Sequence, residues 1–141
     1  MTDSVASPNY YISDAPTLEP MDLTMRLPHP LASAFEYVYR AGKKPGVAAL
    51  TDLQKAQVWL SRTIDMMETG HLAFPPMDQQ VPFLLGLFAQ KNKFAKALSL
   101  AIADNQNRWV PPNLWVQVFK TALDFVNRQI ASENAKEKRV K

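Results

Sequence analysis

The chain has 141 residues, a formal net charge of +3 and no cysteine, and 47% of its residues are hydrophobic while 21% are charged. These values are typical of a single soluble domain with one core, and the missing cysteines exclude disulfides and thiolate metal sites. Because no apolar run approaches the roughly 18 residues that span a bilayer, and the first residues lack the features of a signal peptide, we expect a cytoplasmic protein without a membrane partner.

Residues 1–30 are predicted to form an extended, proline-rich N-terminal arm. Five of the eleven prolines fall in this segment. Proline lacks an amide donor and restricts the residue before it, so we expect no long helix here and only one helical turn, near residues 19–25. The arm is too apolar for a free linker, and we expect it to pack on the helical body or on a neighbouring subunit. Its apolar residues are Tyr10, Tyr11, Ile12, Leu18, Met21, Leu23 and Met25.

The first long helix is predicted over residues 31–41, where apolar side chains recur at helical spacing. Gly42 fits the position just past the helix end, where a left-handed backbone is needed. The helix dipole favours cations at this end. The cations found there are Arg40, Lys43 and Lys44.

The second helix is predicted to begin at Thr51, which would form a capping box with Gln54, and to end at Gly70. Asp52 lies in the first turn, where a negative charge is favoured. An apolar stripe follows one side of this helix. Another face is predicted to carry Asp52, Lys55, Trp59 and Arg62.

A third helical region is predicted over residues 81–104, with a kink or break near Asn92, and a last helix runs from about Asn113 into the 130s. There is no strand-like alternation and no internal repeat. The sequence therefore predicts an all-α fold. We expect a small bundle of four to five helices over residues 31–135, between the arm at 1–30 and a basic tail at 136–141.

Four segments of the chain, taken in order, resemble the phage nucleotide-kinase-like family. They are Pro8-Asn9-Tyr10-Tyr11, residues 18–22 (LEPMD), residues 34–46 (AFEYVYRAGKKPG) and residues 52–56 (DLQKA). One member of that family is a nucleoside monophosphate kinase that lacks a Walker A loop and forms large rings. The resemblance covers residues 8–68 and implies a phage-encoded, nucleotide-binding helical protein that forms homo-oligomers in the host cytoplasm.

Three polar positions depart from the family pattern. Tyr10, Ser33 and Glu36 stand where the family has histidine, asparagine and lysine. One hypothesis is therefore a nucleotide-binding protein that acts as a nucleotide kinase or phosphohydrolase, or that has lost its activity. The alternative is a catalytically inactive phage accessory protein that binds a host or virion protein through the same scaffold. A structural component of the virion is a third hypothesis.

The basic hinge between the first two long helices is the candidate nucleotide-binding site. Phosphoryl transfer needs cations that offset the charge of the migrating group, and arginine and lysine both suit phosphate. The same cations also fit ordinary helix termination. The candidate residues are Arg40, Lys43, Lys44, Asp52 and Lys55, with Trp59 as a surface on which a base could stack.

A second candidate site is acidic. Asp65 and Glu68 are three residues apart and share a helix face, while Glu36 lies on the preceding helix. Carboxylates on facing helices can hold Mg²⁺ and activate water for pyrophosphate hydrolysis, although such a pair also fits a solvated surface. No residue is assigned a catalytic role. Nucleic acid is not an expected partner, because the basic tail lacks an accompanying aromatic and basic stripe.

Overall fold

The described part of the chain is mostly helical and contains no strand. The computed structural model describes residues 20–41, 49–105 and 111–140. Over these ranges six helices follow one another: α1 (Pro20–Thr24), α2 (His29–Ala41), α3 (Ala49–Glu68), α4 (Gln80–Phe88), α5 (Lys93–Asn105) and α6 (Pro111–Val140). The prediction of an all-α fold is confirmed there. None of these helices is both long and apolar enough to cross a membrane.

The number of helices exceeds the predicted four to five because the third predicted region is two separate helices and the short turn near residue 20 is a helix of its own. The predicted break near Asn92 is confirmed. Its side-chain Oδ1 accepts a hydrogen bond of 2.9 Å from the amide of Ala95, which caps the start of α5. Most of the predicted arm, residues 1–19, and the predicted helix-ending Gly42 lie outside the described residues.

Two predicted helix ends are wrong and one is confirmed. α3 begins at Ala49, so Thr51 lies inside the helix and is not its N-cap. Alanine and leucine at positions 49 and 50 are strong helix formers, which favours the earlier start. α6 continues through most of the predicted basic tail to Val140, since no glycine or proline interrupts residues 121–140. Gly70 does end α3, with a φ of 80° and a hydrogen bond from His71 N–H to Met66 O.

α3 lies at the centre of the fold and packs against α2 on one side and α6 on the other. On the α6 side, the amide of Gln57 donates to Asn127 Oδ1 over 2.7 Å, and Lys120 Nζ lies 2.7 Å from Glu68 Oε2. The later residue of α3 pairs with the earlier residue of α6, so these two helices run antiparallel. α4 and α5 pack on each other, and α5 also packs on α6.

A cluster of aromatic rings joins α2, α4, α5 and α6. Phe35 is fully buried, and its ring centre lies 6.4 Å from that of Phe88 and 5.7 Å from that of Phe94. Phe94 in turn lies 5.2 Å from Phe125 of α6. This chain of contacts fixes the start of α5 against the middle of α6, next to the end of α2.

Candidate functional site

The predicted hinge site is divided between two surfaces of the molecule. Lys55 and Trp59 line a shallow depression on the outer face of the α2–α3 pair. The ammonium group of Lys55 lies 5.6 Å from the ring centre of Tyr37, and the Trp59 ring meets His29 edge-on at 5.3 Å. Trp59 is therefore supported by α2 and is still 38% exposed. Lys43 and Lys44 lie outside the described residues.

Asp52 does not share that exposed face, contrary to the predicted arrangement. Its side chain is only 1% exposed, because it lies on the side of α3 that packs inward with Leu53 and Ala56. Among the residues that the structure describes, neither carboxylate oxygen has a hydrogen-bond partner, and the buried Nε of Arg40 likewise has none. Within this part of the chain, two polar groups of opposite charge are thus buried without hydrogen-bond partners near the two helix ends that flank the hinge.

A cleft of about 590 Å³ opens beside the hinge, within the range typical of small-molecule sites. Ala41 and Ala49, the last described residue before the hinge and the first after it, both line this cleft. The opposite walls come from the α4–α5 connection, the start of α5 and the second half of α6. The cleft therefore borders the segment that the sequence indicates as an anion site.

The floor of the cleft is aromatic. Tyr39, Phe94 and Phe125 line it; Tyr39 and Phe94 are almost fully buried, and Phe125 is half-buried. The 5.2 Å contact between Phe94 and Phe125 makes the floor continuous from α5 to α6. Of these three rings, Phe125 is the one that is partly exposed, and an aromatic ring of this kind can contact a planar group such as a nucleobase.

The rim of the cleft is cationic. Lys91 precedes α5 by two residues, Lys93 begins it, and Lys136 lies on α6, and all three line the cleft. Glu133 is the one acid among the described lining residues. Its carboxylate lies 3.0 Å from Lys136 Nζ, so Glu133 offsets part of the charge of that lysine.

The start of α5 adds a further positive potential. Asn92, Lys93 and Phe94 all line the cleft, so the capped N-terminus of this 13-residue helix opens into it. Partial positive charge at a helix N-terminus favours an anion. The helix N-terminus and the lysine side chains therefore both favour an anion at this end of the cleft.

The α6 wall follows from helical periodicity. Phe125, Gln129, Glu133 and Lys136 line the cleft at spacings of four, four and three residues, which places them on one face of the helix. Sequence reasoning missed these residues as well as Lys91 and Lys93. The polar segment at 90–93 is recognisable in the sequence, but from the sequence it predicts only a helix break. Its position beside the hinge depends on how α5 packs, which the sequence pattern does not give.

The predicted acidic site is dispersed. Among the residues that the structure describes, no group of three or more acidic or histidine side chains could hold a metal ion. Glu36 and Asp65 are exposed on different helices, and Glu68 is paired with Lys120 of α6 at 2.7 Å.

The candidate site consists of an aromatic floor, a lysine rim and a helix N-terminus around one cleft, all beside the basic hinge. This arrangement can hold a ligand that combines a planar ring with negative charge. The family resemblance noted over residues 8–68 stays a prediction. No protein-family model matches the chain, and no curated protein or solved structure matches it either.

Proposed function

We propose that this protein binds a nucleotide in the cleft beside the α2–α3 hinge. The observation that supports the proposal most is the juxtaposition of an aromatic floor with lysines from two separate elements. The base would lie against Phe125, and the phosphate would be held by Lys91 and Lys93 at the start of α5. The resemblance of residues 8–68 to phage nucleotide kinases favours the same class of ligand.

The proposal concerns binding and assigns no chemical step. A phosphate held by exposed lysines gains from charge-assisted hydrogen bonds of about 1.5–3 kcal/mol each. Water and salt weaken these contacts, because the Debye length is only about 8–10 Å at physiological ionic strength. We therefore expect affinity to fall as salt rises. Mg²⁺ would enter with the phosphates if it takes part.

Lys93→Met is expected to weaken nucleotide binding about tenfold, equivalent to ~1.4 kcal/mol, since it removes one phosphate contact at the start of α5. Isothermal titration calorimetry with the deoxynucleoside mono-, di- and triphosphates, with and without Mg²⁺, measures this. Lys96→Met is the matched control, because Lys96 is exposed on the same helix but does not line the cleft. If the wild type binds no nucleotide, or if both variants lose affinity equally, the proposal is wrong.

A second candidate function, binding of a protein partner, is favoured by a different surface. Large apolar side chains are exposed on α3 and around α1; they are Met21, Met25, Val58, Trp59 and Met66. Trp59 and Met66 are seven residues apart, two turns along α3, so they share a face. Exposed methionine and tryptophan are typical of interaction surfaces. The partner would be a host or phage protein, or a second copy of the chain.

The variant Trp59→Ser/Met66→Ser tests this second function. If the α3 face binds a partner, the variant is expected to lose a stoichiometric protein that the wild type captures from host lysate, or to become monomeric in sedimentation velocity. Nucleotide affinity should stay unchanged, because neither residue lines the cleft. A wild type that is monomeric and captures nothing would remove the protein-binding function.

A further inference from the structure

We propose that the N-terminal segment of the chain, residues 1–19, docks into an apolar groove beside α4 and α5 of the same molecule, with Ile12 inside the groove. The segment lies outside the described residues. Three features support its docking: the chemistry of the groove, the place where the described chain begins, and the sequence of the segment. The docking is independent of nucleotide binding, because the groove and the hinge cleft share no described lining residue.

This α4–α5 groove is mostly apolar and has a volume of about 540 Å³. Its walls come from the connection before α4, the first turn of α4, one side of α5 and the start of α6. Six of its nine described lining residues are apolar; they are Pro76, Met77, Pro82, Ile102, Ala103 and Leu114. Apolar walls of this kind favour an occupant that brings apolar side chains out of water.

Asp78 is the one charged residue among the described residues that line the groove, and its carboxylate is already engaged within the chain. Its Oδ1 accepts a hydrogen bond of 2.7 Å from the amide of Gln80. Its Oδ2 lies 4.0 Å from Nε of Arg26. The described walls therefore offer little to a charged small molecule, which favours a peptide segment with apolar side chains as the occupant.

The described chain begins close to this groove. Arg26, which lies beside Asp78, follows Pro20 by six residues, and six residues of helix or turn span only about 9 Å at 1.5 Å per residue. α1, which starts at Pro20, packs on α4 as well as on α2. Residues 1–19 therefore join the described fold next to α4, within reach of the groove.

The N-terminal segment has the length and the sequence to fill the groove. Ile12 lies eight residues before the start of α1, and an extended chain of that length reaches up to about 26–29 Å. Tyr10, Tyr11 and Ile12 are three consecutive residues that gain from leaving water. Pro8 and Pro16 restrict the backbone on both sides of them, which lowers the conformational entropy lost on docking.

A pair of engineered cysteines tests the docking, since the chain has no cysteine of its own. Ile12→Cys/Ser99→Cys places one thiol on the segment and the other on the α5 wall of the groove. Ile12→Cys/Ser61→Cys is the matched control, because Ser61 is exposed on α3 and does not line the groove. Ser61 follows Trp59, whose ring meets His29 at 5.3 Å, so it lies level with the start of α2.

Mild oxidation, non-reducing electrophoresis and peptide mapping measure how fast each disulfide forms within one chain. We expect the Ser99 pair to react about tenfold faster than the Ser61 pair, because docking raises the effective concentration of the two thiols. Equal rates, or a faster Ser61 pair, would overturn the proposal. A Ser99 disulfide that links two chains would also overturn it, since the groove would then hold the segment of a second copy.

Hydrogen exchange of the full chain measures the groove without a crosslink. Tyr11→Ser/Ile12→Ser removes two of the apolar side chains that would dock, so the amides of residues 99–103 in the α5 wall are expected to exchange several-fold faster than in the wild type. Residues 58–66 of α3 do not line the groove and should exchange as before. Unchanged exchange at 99–103, or an equal increase in both regions, contradicts the proposal.

Discussion

Replacing Phe35 with alanine is expected to lower the free energy of unfolding by about 3–5 kcal/mol. Phe35 is fully buried, and its ring packs on Tyr39, Phe88 and Phe94 at centroid distances of 5.7 to 6.4 Å. Alanine would remove these contacts and leave a cavity where α2 meets α4 and α5. Domains of this size are stable by only about 5–15 kcal/mol, so the loss is a large fraction of the total.

Urea denaturation followed by far-UV circular dichroism measures this loss. Phe83→Ala is the matched control, because it removes the same atoms from a ring that is 62% exposed on α4; we expect it to change stability by about 0.5 kcal/mol or less. Similar losses for both variants would mean that Phe83 is covered in solution. If Phe35→Ala lowers the free energy of unfolding by less than about 1 kcal/mol, the contacts of Phe35 with α4 and α5 are not part of the core.

The contacts of Phe35 also link the stability of the fold to the structure of the cleft. Phe94 is the residue through which Phe35 reaches the aromatic floor. A packing defect at Phe35 therefore acts on the surface on which a base would stack. Neither Phe35 nor Val118 lines the cleft, but the ring of Phe35 contacts the lining residue Phe94.

The helices could be predicted from the sequence because their signals are local. Apolar side chains repeat at helical spacing along α2 and α3, Gly70 ends α3 with the positive φ that glycine adopts readily, and Asn92 caps α5 through its own side chain. The prediction that α3 begins at Thr51 is wrong, because the helix-forming residues before Thr51 extend the helix past it. Ala49 and Leu50 precede it and are helical.

The cleft could be predicted only in part. The basic hinge identified one of its borders, since Ala41 and Ala49 on either side of the hinge line the cleft. The lysines at 91, 93 and 136 come from segments that lie far from the hinge in the sequence, and they meet beside it only because Phe94 packs on Phe125. For Asp52, the sequence predicted a local interaction correctly but did not predict its burial. Its helix position predicted the favourable dipole contact, but packing against α2 decides that it is buried.

Asp52→Asn is expected to raise the free energy of unfolding by about 1–3 kcal/mol at pH 7. A buried polar group without a partner costs about 1–3 kcal/mol, and a charged group costs more. The helix dipole stabilises a carboxylate in the first turn by only about 0.3–1 kcal/mol. Asp52 is 1% exposed, and neither of its oxygens is hydrogen-bonded to a residue that the structure describes, so we expect the cost of burial to exceed the gain from the dipole.

Chemical denaturation of the two proteins measures this difference, and Asp65→Asn is the control. Asp65 lies on the same helix but is exposed, so its replacement should change stability by no more than about 0.5 kcal/mol. If Asp52→Asn instead destabilises the protein, the carboxylate is stabilised in the folded state and the assignment of an unpaired charge is wrong.

The same variant shows whether the buried carboxylate of Asp52 contributes to ligand binding in the cleft. Residues that cost stability and are nevertheless present often contribute to function, and Asp52 lies between Ala49 and Leu53, both of which line the cleft. If Asp52→Asn is more stable but binds nucleotide less tightly, then Asp52 either meets the ligand or positions Arg40, whose buried Nε also has no partner within the described ranges. If it is more stable and binds equally well, the cost of burying Asp52 has no connection to the nucleotide.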